Sequence, residues 1–376
     1  MIKVGYSDLV LGKPLPFDLI DEDGLVLLTH GYVLRSEAQI ERLVMRGVYY
    51  DFIEEEGAGT ERAERVSVYQ RVQETAAAFA ALFAGGPDAV DYRRVMAVAG
   101  DIQSLCALDP HPVLAAIHLY RTSRYALRHV FGTAVLTEVL LKHLGRSDEV
   151  RRDAVAGALT MNMAMLDLQD ALYKQEQPLT GEQKRDIVTH PLSTVKMLRA
   201  AGVEQEIWLD VAEHHHEMLD GSGYAKRLAG QALSIEAQTV SLADRYCAMV
   251  SERAYRPGTL PHVAVKELLT KQAATIDPSV AAAFSAEMGA YPPGTVLSLA
   301  NGEVAVVVKR TLNANTPVVR SLRASSGVRH AEPPKRLTSK STYAIRDVLD
   351  CATAQGFDHS ALWPTALLGD EGDEDE

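Results

Sequence analysis

Scattered histidines and one aspartate are the residues of this chain best suited to do chemistry together. They are His129, His190, the run His214-His215-His216, and Asp244. Neutral imidazoles and carboxylates are the ligands that hold Fe, Mn, Zn or Ni in helical pockets. A lone histidine on an apolar helix is more often a buried, hydrogen-bonded core residue. Three consecutive histidines favour a metal site more strongly, although only two of them can aim at one site.

Helical patterns dominate the region that contains these residues, from about 89 to 288. Around His129, positions 129, 133, 136 and 140 fall on one helical face. Further helices are predicted around 150–165, 181–201, 205–217, 234–252 and 262–273. The predicted fold class is therefore mainly α, with an all-helical bundle that positions the polar residues.

Smaller regions flank the bundle. Residues 1–60 show short apolar runs and a helical pattern that Ser36 could cap and Gly47 could end, which predicts a small α+β domain. Residues 61–118 are predicted to be a helical connector, with a boundary at 85–88 (Gly-Gly-Pro-Asp). The Asn301-Gly302 pair between two apolar runs is a strong hairpin signal, so 289–352 is predicted to be a β-rich module. Residues 353–376 are predicted to be an acidic, largely disordered tail.

Composition and charge exclude several classes of function. The net charge is −12, and without the six acidic residues of 370–376 it is −6, so a surface for duplex nucleic acid is not expected. No run approaches the roughly 18 apolar residues of a membrane span, and the N-terminus lacks the pattern of a signal peptide. Three scattered cysteines without a CxxC pair fit a cytoplasmic protein.

Residues 215–256 resemble the signature of the HD-GYP phosphodiesterases. HHEMLDGSGY at 215–224 is similar to the family's HHExxDGxGYP, and LADRY and SERAYR at 242–246 and 251–256 are similar to its ADxxDALTSxRPYR. Upstream, PLT at 178–180 and THP at 189–191 match its PLT…HP segment. The resemblance covers about 120–285, and the compound motif is very specific.

This resemblance implies an HD-superfamily helical domain over 119–288 that hydrolyses cyclic di-GMP, with metal ions activating the attacking water. It implies metal ligands at His129, His190, His215, His216 and Asp244. It also implies ligand contacts from the turn Gly221-Ser222-Gly223-Tyr224 and from Arg253 and Arg256. Planar guanidinium groups of arginine bind phosphates in a bidentate way.

The chain departs from the family at the residues that give it its name. Counting back without gaps from Pro178 places the family's HDxGK on 161–165, where this chain has MNMAM. Met161 replaces a histidine ligand, and Asn162 replaces the aspartate that bridges two metals. A neutral amide oxygen cannot hold two cations close together as a carboxylate can. We therefore expect no intact catalytic site.

Other departures are milder. Met165 replaces the family's lysine, Tyr125 takes the place of a glutamate that some members have, and Ala225 replaces the signature proline. His190, His215 and His216 could still hold one divalent transition metal, Fe, Mn, Zn or Ni, whereas His129 with Asp244 alone is too sparse. Asp167 and Asp170 are disfavoured as replacement ligands.

Three hypotheses follow for function. The leading one is a degenerate HD-GYP protein that binds cyclic di-GMP, a related cyclic dinucleotide or a signalling protein partner without efficient hydrolysis. The alternative is a metal-dependent phosphodiesterase of low or altered activity that uses the surviving histidines and Asp244. The third is a protein-interaction module that binds no ligand. Metal content and a turnover assay would separate them.

Overall fold

A computed structural model of the protein shows the chain divided into two compact units, Met1–Glu64 and Arg65–Glu376. The structure describes residues 2–4, 9, 15, 19–21, 26–29, 32–46, 48–50, 67–121 and 124–364. The fold is mainly α, as predicted, with sheets confined to the two ends of the chain. None of the described helices is long and apolar enough to cross a membrane.

The first unit combines a small antiparallel sheet with one helix. Its elements are β1 (Ile2–Lys3), β2 (Leu19–Ile20), β3 (Val26–Leu28), α1 (Glu37–Arg46) and β4 (Tyr49–Tyr50), with sheet order β1-β4-β2-β3. Leu19, Leu34 and Val48 are buried in its small core. Helix α1 begins directly after Ser36, and Gly47 lies outside the described residues. The predicted α+β character is confirmed.

Helices form most of the second unit. They are α2 (Val68–Ala81), α3 (Tyr92–Leu108), α4 (Pro110–Leu119), α5 (Tyr125–His143), α6 (Asp148–Thr160), α7 (Leu166–Lys174), α8 (Gly181–Ala200), α9 (Glu206–His214), α10 (Ile235–Val250), α11 (Pro261–Thr270) and α12 (Pro278–Met288). Side chains of α2, α3 and α4 belong to the same hydrophobic core as those of α5 to α12. Residues 67–118 are thus part of the bundle, and 85–88 separates two packed helices instead of two domains.

Helix α5 runs through the centre of this core, and 16 of its 19 residues are buried. A helix that is apolar nearly all round is stable only inside a protein. Neighbouring helices approach closely because of Gly157 on α6, where an added Cβ would lie 2.9 Å from the Cβ of Val211 and 3.0 Å from the carbonyl oxygen of Trp208. Close packing of α6 on α9 fixes the histidines that follow α9.

The second sheet follows the bundle. Its strands are β5 (Val296–Leu299), β6 (Val304–Lys309), β7 (Val318–Arg323), β8 (Lys335–Leu337) and β9 (Ile345–Leu349), all antiparallel in the order β8-β7-β6-β5-β9. The hairpin predicted at Asn301-Gly302 joins β5 to β6, and Gly302 adopts φ +88°. Only glycine takes such a φ readily, so the turn chemistry confirms the prediction.

The end of the described chain packs against the bundle. Trp363 is buried, stacks on Tyr69 of α2 with ring centroids 5.3 Å apart, and donates from Nε1 to the carbonyl of Val308 at 3.0 Å. The prediction of a largely disordered tail is therefore wrong for 353–364, because apolar residues there have a core to join. Residues 365–376, which include the acidic run, lie outside the described residues.

Candidate metal and ligand site

Four helices bring the predicted metal ligands into one cluster. His129 lies on α5, His190 on α8 and Asp244 on α10, while His215 and His216 directly follow the last turn of α9. All five are buried except His216, whose side chain is 17% exposed. Residues far apart in the sequence therefore meet in one largely buried place.

The tightest part of the cluster is the triplet His190, His215 and His216, whose ligand nitrogens all lie within 4.8 Å of one another. Nδ1 of His190 donates to the carbonyl of Ile187 at 2.6 Å, and Nδ1 of His215 donates to that of Ala212 at 3.0 Å. Each proton is thereby placed on Nδ1, and the two Nε2 atoms face each other at 3.1 Å. Two lone pairs this close repel unless a cation lies between them, so the donor set fits one divalent metal.

Burial keeps these imidazoles in the form that binds metals. It lowers the pKa of His190 to about 3, with a further contribution from the neighbouring His215, and lowers the pKa of His215 to about 4. For the same reason the pKa of His216 lies well below the usual 6.5. A metal ion would therefore displace no proton from them at neutral pH.

Asp244 joins this triplet to His129. Its Oδ1 accepts a hydrogen bond from Nε2 of His129 at 2.7 Å, and its Oδ2 lies 3.8 Å from Nδ1 of His216. Burial alone would raise the pKa of Asp244, but the hydrogen bond and the attraction to His129 lower it below its usual range. Nδ1 of His129 is buried and has no hydrogen-bond partner among the described residues. One carboxylate and one imidazole are too few to hold a second cation tightly.

The segment aligned with the family's HD pair lies between α6 and α7. Met161 and Asn162 are both buried. Nδ2 of Asn162 donates to Oε1 of Gln169 at 3.3 Å, whereas its Oδ1 accepts no hydrogen bond among the described residues. A buried oxygen without a donor costs about 1–3 kcal/mol, so a water or a cation beside it would be stabilising. Being neutral, this oxygen cannot take the place of a bridging carboxylate.

The two aspartates considered as replacement ligands accept hydrogen bonds from groups at the start of α5. Asp170 accepts from the backbone N–H of Ala126 at 2.8 Å and from Nε of Arg124 at 2.9 Å. Asp167 accepts from the same guanidinium at 2.9 Å. These contacts hold both carboxylates at the start of α5.

His214, the first of the three consecutive histidines, lies outside the triplet. Its Nδ1 is 2.7 Å from Oδ1 of Asp210, on the preceding turn of α9. Asp210 also accepts a hydrogen bond from Ser234, the residue that caps the N-terminus of α10. Of the three consecutive histidines, only His215 and His216 therefore belong to the triplet.

The turn Gly221-Ser222-Gly223-Tyr224 covers the histidine triplet with the ring of Tyr224. Tyr224 stacks on His216 with ring centroids 4.6 Å apart and an interplanar angle of 28°. Gly221 adopts φ +77°, and a Cβ on Gly223 would lie 2.5 Å from the Cα of Glu217. Both glycines are therefore required for the turn to reach the histidines. The peptide bond between Tyr224 and Ala225 is cis.

Glu217 organises the chain after this turn, a role that the sequence alone did not indicate. Its side chain is buried, and its carboxylate accepts three backbone N–H groups, those of Lys226 at 2.6 Å, Arg227 at 3.0 Å and Leu228 at 3.0 Å. Its position inside the quoted motif, next to two candidate ligands, was the only signal that could have found it.

The two predicted ligand-binding arginines differ in their surroundings. Arg256 donates to backbone carbonyls at and beyond the end of α10, namely those of Ala248, Met249, Ser251 and Pro257. Arg253 donates from Nη2 to the hydroxyl of Tyr125 at 3.3 Å, and its Nε has no partner among the described residues. Both line a cleft of about 570 Å³. Arg256 thus stabilises the loop, and Arg253 has donors to spare for an anion.

Comparisons with known proteins agree with this geometry. A family model described as an HD domain matches residues 113–280. The chain is 26% identical over 222 residues to a cyclic di-GMP phosphodiesterase of Pseudomonas aeruginosa, covering 59% of this chain and 53% of that protein. The chain contains an HD-GYP-type domain. A 3'3'-cGAMP-specific phosphodiesterase of Vibrio cholerae is 26% identical over 170 residues, 45% of this chain and 37% of the relative.

One solved structure shares the fold. It is an HDG"Y"P protein from Bdellovibrio bacteriovorus, with a TM-score of 0.50 and 14% identity, covering 76% of this chain and 98% of that one. At this identity the likeness concerns the fold alone. This chain spans about half the length, or less, of the two curated phosphodiesterases that it matches.

Proposed function

We propose that this HD-GYP protein binds cyclic di-GMP, or a related cyclic dinucleotide, for signalling and does not hydrolyse it efficiently. The observation that carries the proposal is Asn162, a neutral amide in the place of the family's bridging carboxylate. The same pocket still has His129, His190, His215, His216 and Asp244. The names of the curated relatives support the ligand class. The free cysteines Cys106, Cys247 and Cys351 support a location in the reducing cytoplasm.

His190, His215 and His216 would hold one divalent metal, Fe, Mn, Zn or Ni. When bound, such an ion supplies Lewis acidity toward a phosphate oxygen. The chain's own groups do the rest: Asp244 orients His129, and the ring of Tyr224 shields the outer face of His216 from water. The carbonyls that hold the Nδ1 protons of His190 and His215 keep both Nε2 atoms directed at the same place.

Elemental analysis after aerobic purification tests the metal proposal. We expect at most about one equivalent of transition metal, because a second cation would find only His129 and Asp244. His215→Ala should lose that metal, while His214→Ala, which alters the neighbouring histidine outside the triplet, should retain it. Two or more equivalents surviving extensive dialysis would show that Asn162 has not dismantled the second site.

Calorimetric titration tests ligand binding. Cyclic di-GMP should bind in a salt-sensitive way, since contacts between phosphates and arginines on the wall of an open cleft are screened by ions. Arg253→Ala should weaken binding directly. Arg256→Ala should act through the loop that this side chain holds, and so should also lower thermal stability. No binding by the wild type at high micromolar ligand would favour the protein-interaction module.

A turnover assay separates the leading proposal from its alternative, a phosphodiesterase of low or altered activity. The intact histidine triplet is the observation that favours this alternative. We expect hydrolysis at or near background in the wild type and measurable hydrolysis after Met161→His with Asn162→Asp. If that repair fails, Met165→Lys should be added, since the family has a lysine there. Metal-dependent turnover by the wild type that His216→Ala abolishes would establish the alternative.

A further inference from the structure

Two stacked tyrosines lie next to the metal pocket, at positions where the quoted family motif places no aromatic residue. Tyr125 begins α5 and stacks on Tyr173 of α7, with ring centroids 4.4 Å apart and an interplanar angle of 13°. On its other side Tyr125 stacks on His129 at 5.6 Å. Tyr173 is half-buried and lines the 570 Å³ cleft together with Arg253. The stack thus links the metal pocket to an aromatic wall of the cleft.

Arg128 lies against the same pair of rings. Its Cζ is 5.5 Å from the ring centroid of Tyr125 and 5.9 Å from that of Tyr173. Among the described residues its guanidinium donates no hydrogen bond, although the side chain is half-buried. Arg253 lies over Tyr125 as well, with Cζ at 5.6 Å. The rings therefore fix two guanidinium groups, and the N–H fork of Arg128 is left for water or a ligand.

We propose that this cluster recognises a guanine base of the cyclic dinucleotide, an inference that rests on the proposed function. The ring of Tyr173 stacks on the base, and two N–H groups of the Arg128 guanidinium donate to O6 and N7 of guanine. Arg253, which lines the cleft beside Tyr173, takes the adjacent phosphate. Guanine offers two acceptors on this edge, whereas adenine offers one acceptor and an amino donor that would face the donors of Arg128.

A single arginine that recognises guanine predicts a definite order of affinities among cyclic dinucleotides. Cyclic di-GMP and 3'3'-cGAMP each contain a guanine that Arg128 can bind, whereas cyclic di-AMP contains none. A bidentate pair of this type discriminates against the wrong base by roughly ten- to a hundredfold. Cyclic di-GMP and 3'3'-cGAMP should therefore bind with similar affinity, and cyclic di-AMP should bind more weakly by that factor.

The test is calorimetric titration of the full chain with these three ligands. Arg128→Lys keeps the positive charge but loses the fork, so cyclic di-GMP should weaken roughly tenfold and the preference over cyclic di-AMP should disappear. Tyr173→Leu should weaken all three ligands, while Tyr173→Phe, which keeps the ring, should bind as the wild type does. Unchanged circular dichroism and metal content would show that each variant is folded.

The outcomes separate this inference from the function on which it rests. If the wild type binds none of the three ligands, the proposed function is wrong and the inference falls with it. If the wild type binds cyclic di-GMP and Arg128→Lys keeps the same affinity and preference, the inference is wrong while the function stands. Tight binding of cyclic di-AMP by the wild type would overturn the inference in the same way.

Discussion

His118 should make the contact between the helical bundle and the second sheet sensitive to acid. Only 2% of this residue is exposed, its Nδ1 donates to the carbonyl of Pro293 at 2.7 Å, and its Nε2 accepts from the hydroxyl of Tyr246 at 2.7 Å. Burial lowers the pKa of His118 to about 4, from the ordinary 6.5. Between these values the unfolded chain binds the proton and the folded chain does not, so stability falls as the pH falls.

The size of the effect follows from the two pKa values. A difference of about 2.5, at about 1.4 kcal/mol for each pKa unit, amounts to about 3 kcal/mol lost between pH 6.5 and pH 4. His118→Gln keeps a donor and an acceptor but does not titrate in this range, so its free energy of unfolding should depend on pH less steeply by about that amount. Urea unfolding at a series of pH values measures both slopes, and the buried metal-site histidines contribute equally to both.

Some loss of stability at neutral pH is expected for His118→Gln, since an amide does not reproduce the geometry of the imidazole. Parallel stability curves for the wild type and His118→Gln would refute the reasoning, because they would show that His118 takes up a proton equally well in the folded and unfolded states.

Three further substitutions test single contacts. Glu217→Gln should destabilise the protein by about 1–3 kcal/mol in urea unfolding and weaken cyclic di-GMP binding, since three backbone N–H groups share that carboxylate; wild-type stability would contradict this role. Gly157→Ala should lower stability by about 1–3 kcal/mol, because the added Cβ would meet the side chain of Val211. An unchanged melting temperature would show that α6 and α9 can move apart without cost. Asp170→Asn should cost about 1 kcal/mol of stability at the start of α5 and leave the metal content unchanged, whereas loss of metal would make Asp170 a ligand after all.

Local signals in the sequence predicted much of what positions the site. Thr180 and Gln183 form a reciprocal capping box, and the helix predicted at 181–201 is found at Gly181–Ala200. Ser234 caps the helix predicted at 234–252, which is found at Ile235–Val250. Such caps satisfy the free N–H groups of a helix within a few residues, so they can be recognised without knowing the fold. The histidine triplet was predictable because the compound motif fixes its members at known spacings.

The contacts that sequence could not predict join distant segments or use a residue type with two common roles. An arginine near a signature motif can bind a phosphate, and it can equally well donate to the free carbonyls at a helix end. Only the fold shows that Arg256 donates to such carbonyls. The stack of Tyr125 on Tyr173 joins two helices 48 positions apart. The segment 85–88 has the composition of a boundary, yet the helices on either side share one core because their apolar faces need each other.

The loss of one carboxylate alters how the pocket can hold an anion. With aspartate at 162, two divalent ions would face the two phosphates of a cyclic dinucleotide, and metal charge would dominate binding. With Asn162 and a single ion at the triplet, more of the attraction would come from guanidinium groups beside the stacked tyrosines, those of Arg253 and Arg128. Arginines at a cleft are screened by salt far more than a buried ion is. A receptor of this kind should therefore keep part of its affinity after chelation of the metal and lose most of the remainder in high salt, the reverse of what a two-metal phosphodiesterase would do.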